Sequence, residues 1–145
     1  MKKWLSVILS IVMLSTVLGS GASFAFAATA ATSGSCGDNI KYNIYTGTGV
    51  LTLTGSGATN NYSNMNVNFG SSIKRCPWYN SRDSIKRVVI SEGVTVLGNY
   101  LFFEMTSVQT VILPSTVTGV NRYAFAGCTA LSTVNLQDTK ITKSV

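Results

Sequence analysis

Two consecutive stretches of the sequence repeat each other: Ile85–Ser107 reads IKRVVISEGVTVLGNYLFFEMTS, and Val108–Ala130 reads VQTVILPSTVTGVNRYAFAGCTA. A third stretch opens at Leu131 with LSTVNL. The period is 23 residues, and apolar residues recur at matched positions. A fixed period of this length is typical of a solenoid, in which each unit buries its apolar edge only against its neighbours. The sequence therefore predicts a short β-rich solenoid.

Each unit opens with a strand whose alternate residues face opposite sides of a sheet. Val88 and Ile90 share one face of the first strand, and Val111 and Leu113 match them in the second. These residues are predicted to face the core. Later in the unit, Phe102 matches Phe125. These two aromatic side chains are predicted to stack in the interior.

The opposite face of these strands supplies candidate binding residues. Val89 and Ile112 are predicted to be adjacent and exposed, which suggests a contact with a partner. The alternative is that the N-terminal part of the chain, or another segment, covers them. The complete set of outward positions is Arg87, Val89, Thr110, Ile112, Thr133 and Asn135.

The second unit carries a long motif. Val108–Cys128 matches the pattern L-x-x-V-x-I-P-x-x-V-T-x-I-x-x-x-A-F-x-G-C, with Val108 in place of L and with Leu113 and Val120 in place of I. This pattern resembles the BspA-type leucine-rich repeat of secreted and surface bacterial proteins, and the resemblance covers Ile85–Leu136. It implies a leucine-rich repeat array that adheres to host proteins, matrix proteins or other cells. The first unit departs from the pattern, because bulkier residues replace Ala124, Ala126, Gly127 and Cys128; they are Leu101, Phe103, Glu104 and Met105.

The N-terminus has the pattern of a signal peptide. Lys2 and Lys3 precede an apolar run, Trp4–Leu18, and Ala25–Ala27 is an A-x-A cleavage site. The run has about 15 residues, whereas a membrane-spanning helix needs about 20. We therefore predict that residues 1–27 are removed on export and that no membrane anchor remains. The predicted location is extracellular or at the cell surface.

Residues 28–84 are predicted to form an N-terminal cap module. Alternation from Ile40 to Ile44, turn residues at Thr46–Gly49 and a return strand at Val50–Thr54 indicate a β-hairpin. An Asn-rich loop follows, Ala58–Gly70. The segment from Cys36 also resembles the one that often precedes BspA-type repeats, which implies that the hairpin covers the open end of the array.

Residues 85–145 are predicted to hold two full repeat units and a partial third. After Leu136 the third unit contains one extra residue, so that Ile141 falls one place later than Val94 and Val117 do in their units. Before the first unit, Trp78 and Tyr79 are predicted to fill the junction between cap and repeats, because large aromatic side chains dominate small cores. The alternative is a binding patch.

The chain contains three cysteines. Cys128 occupies a repeat position that Met105 fills in the first unit, which favours a thiol packed as a small apolar group. Cys36 and Cys76 both lie in the cap module. Export permits a disulfide between them, but connectivity cannot be deduced from sequence, so that a Cys36–Cys76 bridge and two free thiols both remain open.

Charge and composition limit the chemistry. Without histidine, two neighbouring carboxylates or a C-x-x-C motif, the sequence offers no catalytic base and no metal site. It predicts no enzyme activity, no cofactor and no nucleic-acid partner. The net charge of +6 comes partly from basic residues before and at the first repeat, which favours weak attraction to anionic cell-wall polymers. These residues are Lys74, Arg75, Arg82, Lys86 and Arg87.

Two functional hypotheses follow. The first is a secreted or cell-surface module that binds a protein, such as a host, matrix or cell-surface protein. The second is a structural N-terminal fragment or spacer of a larger surface protein, with no ligand of its own.

Overall fold

The computed structural model describes residues 32–64, 74–135, 140–141 and 143–144, and the predicted signal peptide lies outside them. The described chain is built from short strands and one 3₁₀ helix, Tyr79–Ser84. No helix in these ranges is long and apolar enough to cross a membrane. The strands are β1 (Thr32–Ser35), β2 (Ile40–Tyr45), β3 (Val50–Gly55), β4 (Gly57–Ala58), β5 (Arg87–Ile90), β6 (Val94–Leu97), β7 (Thr110–Ile112), β8 (Gly119–Val120), β9 (Thr133–Asn135) and β10 (Lys143–Ser144).

The first sheet has six strands in the order β1-β2-β3-β5-β7-β9. The predicted hairpin is confirmed, because β2 pairs with β3 in antiparallel fashion and Tyr45 lies opposite Val50. From β3 onward the strands run parallel. Arg87 lies beside Thr110, and Thr110 beside Thr133. Residues that are 23 positions apart in the repeats therefore lie side by side in the sheet.

The second sheet has four parallel strands in the order β10-β8-β6-β4. Each repeat unit thus contributes one strand to each sheet. Val96 lies beside Gly119, a step of 23 residues, whereas Gly119 lies beside Lys143, a step of 24. The longer step confirms the extra residue predicted after Leu136.

The cap continues both sheets. β3 pairs with β5 in the first sheet, and β4 pairs with β6 in the second. Backbone hydrogen bonds extend this contact, because the N–H of Thr59 donates to the Val96 carbonyl and the N–H of Tyr62 to that of Asn99, each at 2.9 Å. Gly98 permits this approach, since a Cβ there would overlap the carbonyl oxygen of Asn60. The hairpin therefore covers the N-terminal end of the repeats by extending their ladders, which protects an edge that would otherwise be open to pairing.

The interior lies between the two sheets. Val88, Ile90, Val111 and Leu113 are all buried, as predicted. Their third-unit counterpart Val134 is partly buried against the same core, and Leu136 lies outside the described residues.

An aromatic stack crosses this core. Phe102 and Phe125 stack with ring centroids 5.2 Å apart, which confirms the predicted pair. Trp78 continues the stack at 5.7 Å from Phe102, is fully buried, and donates its indole N–H to the Leu101 carbonyl at 3.1 Å. Trp78 therefore fills the junction between cap and repeats and is not a binding patch. Stacked aromatic pairs add about 0.5–1.5 kcal/mol to the free energy gained from burial alone.

The turns after β6 and β8 each contain two residues with left-handed backbone. Tyr100 and Tyr123 have φ of 53° and 58°, and the next matched pair, Glu104 and Gly127, has φ of 55° and 78°. Non-glycine residues are uncommon in this conformation. It is retained because the turns hydrogen-bond to each other: the N–H groups of Tyr100 and Glu104 donate to the carbonyls of Arg122 and Ala126 at 3.1 and 2.8 Å.

Candidate functional site

The outward face of the six-stranded sheet brings all six predicted binding residues together. Because directly paired residues point to the same side of a sheet, they form two rows that cross the strands. One row runs Asn43, Thr52, Val89, Ile112, Asn135, and the other runs Tyr45, Val50, Arg87, Thr110, Thr133. The first two residues of each row lie on β2 and β3 of the cap. The sequence-based prediction of the binding face did not include them.

The prediction that Val89 is exposed is wrong. Val89 is only 5% exposed, and it packs with Tyr45 and Val50 in a small cluster separate from the main core. The parallel pairing of β3 with β5 is the cause, since it places two apolar residues of the cap beside the first repeat. Ile112 packs against this cluster from the next strand and stays partly exposed. Burial also raises the pKa of the Tyr45 hydroxyl.

Exposure on this face increases toward β9. Arg87, Thr110, Ile112 and Asn135 are half-buried, and Thr133 is exposed. The accessible part of the face therefore consists of hydroxyl, amide and guanidinium groups around one apolar side chain, Ile112. Such a surface suits contact with another protein, in which a small apolar centre is surrounded by polar groups.

The basic residues that lie close together in the sequence do not form one cluster in space. Arg75 and Arg82 both lie over the ring of Tyr79, with guanidinium carbons 4.8 and 4.1 Å from the ring centroid. Lys74 lies 5.7 Å from the centroid of the Tyr62 ring. Cation–π contacts of this kind hold a charged group in place at an exposed site. Arg87, by contrast, lies on the outward sheet face, so that the sequence cluster is only partly a cluster in space.

Tyr79 holds two of these cations, but a search of the sequence for charged residues does not identify it. Its backbone carbonyl also accepts a hydrogen bond from the guanidinium of Arg82 at 2.8 Å. The Arg82 guanidinium lies 3.9 Å from the carboxylate of Asp83; this long contact to an exposed carboxylate contributes little to stability. Two arginines therefore share one aromatic ring at the start of the repeats.

The described residues contain no group of three His, Cys, Asp or Glu side chains that could hold a metal ion. The carboxylate of Glu92 serves a structural contact, since it accepts hydrogen bonds from the N–H and hydroxyl of Ser115 at 3.1 Å each. These two residues occupy matched positions in neighbouring units, so the contact links the first unit to the second.

The three cysteines are free thiols in this structure. Cys36 and Cys76 belong to the main core, whereas Cys128 is only partly buried and donates its S–H to the Phe102 carbonyl at 3.0 Å. Its packing as a small group inside the repeat agrees with the prediction, but the burial is less complete than for Met105, its match in the first unit.

Comparison with known proteins bears directly on this arrangement. Residues 71–144, about half of the chain, match the family model described as BspA type leucine rich repeat region (6 copies). A crystal structure of a leucine-rich repeat protein from Eubacterium ventriosum is similar, with a TM-score of 0.61 and 28% sequence identity over 74% of this chain. The chain spans 27% of that protein. No curated protein matches the sequence at a significant level. The motif, the register of the parallel strands and the family match agree, and the chain belongs to the BspA-type leucine-rich repeat family.

Proposed function

We propose that this chain is a secreted or cell-surface module, built as a short solenoid, that binds another protein and performs no catalysis. The observation that carries the proposal is the outward face of the first sheet. There, four matched side chains from three successive repeat strands remain accessible around Ile112. Leucine-rich repeat domains in general mediate protein–protein interaction, which supports a protein as the partner.

The proposed location rests on the N-terminal pattern and on the family. BspA-type proteins are typically secreted or surface proteins, and residues 1–27 have the basic, apolar and small-residue regions of a signal peptide. An extracellular position makes a host, matrix or cell-surface protein the proposed partner, and adhesion the proposed role.

Replacing Ile112 by aspartate is expected to weaken adhesion without unfolding the chain. A carboxylate would lie at the apolar centre of the face, where a partner has to remove it from water. We expect the affinity for a surface coated with extracellular-matrix proteins to fall at least about tenfold, which corresponds to about 1.4 kcal/mol. Binding is measured by surface plasmon resonance, and thermal melting checks the fold.

Thr129→Asp is the matched control, since Thr129 is exposed in a turn outside the sheet face and the charge change is the same. Thr133→Arg repeats the test at an exposed position of the face, away from the Val89 cluster. Unchanged binding by folded Ile112→Asp and Thr133→Arg would exclude this face as the adhesive surface. Unfolding of Ile112→Asp would instead identify Ile112 as a core residue. The binding of Thr133→Arg would then decide whether this face is the adhesive surface.

Weak attraction to anionic polymers of the cell wall is proposed as a second contact, supported by the two arginines at Tyr79. Arg75→Gln is expected to lower the salt concentration at which the chain elutes from immobilised dextran sulfate, because one ordered cation is lost. Arg122→Gln removes the same charge from an exposed position in the second unit. An equal shift for both variants would show that net charge alone, not the site at Tyr79, causes retention.

A spacer role within a larger surface protein is the alternative. It is favoured by the contrast between the two units: Phe102 and Met105 are fully buried, whereas their matches Phe125 and Cys128 are only partly buried. The second unit thus presents a surface that a further unit would cover. Dimers or aggregates of the purified chain, together with no saturable binding to matrix proteins, would favour the spacer.

A further inference from the structure

Cys36 lies beside the segment that leaves β4. Its carbonyl accepts a hydrogen bond from the N–H of Asn60 at 2.7 Å, and its own N–H donates to the Ile40 carbonyl at 3.0 Å. The side chain has no solvent exposure. Two residues beyond Asn60, the ring of Tyr62 enters the same core.

The chain that leads to Cys76 runs beside the same segment. The N–H of Ser63 donates to the Lys74 carbonyl at 3.0 Å, and the N–H of Lys74 donates to the Ser63 hydroxyl at 3.4 Å. These contacts bring the chain that leads to Cys76 alongside Tyr62. Cys76 is 3% exposed and belongs, with Cys36 and Tyr62, to the same buried cluster.

Neither of these thiols has a place in the repeat pattern. Cys128, in contrast, occupies a repeat position, and its S–H has a carbonyl partner. Cys36 and Cys76 therefore differ from the third cysteine in the same three ways: both are buried, both lie in the cap, and both lie beside the segment from Asn60 to Ser63.

We propose that Cys36 and Cys76 form a disulfide in the exported protein, and that this bridge joins the start of the cap to the segment entering the first repeat. Cys128 stays a free thiol.

The reaction is thiol–disulfide exchange with a disulfide oxidant, such as a disulfide oxidoreductase or glutathione disulfide. One cysteine loses its proton, attacks the oxidant and forms a mixed disulfide while one sulfur of the oxidant leaves as a thiolate. The second cysteine, deprotonated in turn, displaces the remaining sulfur of the oxidant. Two protons and two electrons leave the chain, the Cys36–Cys76 bond forms, and the oxidant is reduced to two thiols.

Burial determines when this reaction can occur. Desolvation raises the pKa of Cys36 to about 12 and that of Cys76 to about 11. At pH 8 only roughly one Cys76 thiol in a thousand would be a thiolate in the folded chain, and the thiolate is the reactive form. The bridge therefore forms while the chain is still open, and once the chain has folded it is shielded from external thiols.

The test counts free thiols by mass. The full chain is refolded with reduced and oxidised glutathione, denatured without reductant, and treated with N-ethylmaleimide. One adduct is expected, at Cys128, together with a loss of two hydrogens, and prior reduction should give three adducts. Cys128→Ala should give none, and Cys76→Ser should give two. Peptide mapping should recover Cys36 linked to Cys76.

A second measurement tests the shielding. The oxidised folded chain is expected to keep its bridge in dithiothreitol and to lose it when urea is added, and its melting temperature should exceed that of the reduced chain because the bridge restricts the unfolded state. Three adducts after oxidative refolding, or a linked peptide that contains Cys128, would overturn the proposal. Rapid reduction of the folded chain by dithiothreitol would overturn the inference that the bridge forms before folding and is then shielded.

Discussion

Replacing Trp78 by alanine is expected to lower the free energy of unfolding by about 3–5 kcal/mol, the range for truncating a large buried aromatic residue. Trp78 is fully buried, stacks on Phe102, and satisfies the Leu101 carbonyl through its indole N–H. The variant leaves a cavity between cap and repeats and a buried carbonyl without its partner. A small domain is stable by only about 5–15 kcal/mol, so that this loss is a large part of the total. Urea unfolding followed by circular dichroism measures it.

Two further variants separate the causes. Trp78→Phe keeps a ring in the stack but loses the hydrogen bond, and we expect it to cost about 1–3 kcal/mol. Tyr123→Ala removes an aromatic ring that is 58% exposed and should cost far less. Equal losses for Trp78→Ala and Tyr123→Ala would contradict the assignment of Trp78 as the centre of the junction.

Gly98→Ala is expected to destabilise the chain by about 1–3 kcal/mol, the usual cost of overpacking. The added methyl group would overlap the backbone of Asn60, which cannot move without breaking the contact between cap and first repeat. The N–H of Gly98 also donates to the hydroxyl of Thr59 at 2.7 Å, a contact on the same boundary. Chemical denaturation gives the change in free energy.

Gly119→Ala is the matched control for this experiment. Gly119 is a buried glycine of the second sheet, and a Cβ there would meet only the Val96 methyl groups at 3.6 Å, an ordinary contact distance. We expect it to be nearly neutral. Equal effects of the two substitutions would show that loss of glycine itself, and not the approach of the cap, determines the stability.

The repeat register and the identity of the core could be predicted from sequence because both depend on local spacing. Val88 and Ile90 share a strand face in any β-structure, and the match of Phe102 to Phe125 fixes their stack. The same period would place Tyr79, one residue later than Trp78, below Phe102. The structure has Trp78 there instead, since the segment before the first repeat is not itself a regular unit.

The burial of Val89 could not be predicted from local spacing. Alternation identifies the face on which a side chain lies, but not which other strand shares that face. The answer depended on the parallel pairing of β3 with β5 across the intervening loop, a contact between residues far apart in sequence. Nor did the sequence indicate left-handed backbone at Tyr100 and Tyr123, because tyrosine has no intrinsic preference for it. Contacts between neighbouring turns impose this conformation.

The strand β3 has partners on both of its edges, antiparallel β2 on one side and parallel β5 on the other. In arrays of independent repeats, units at an end can fray while the rest stays folded. Here, detaching the hairpin would open the edge of β5, expose the Val89 cluster and unseat the ring of Trp78 in one event. We therefore expect the hairpin and the repeat strands to melt as a single cooperative unit.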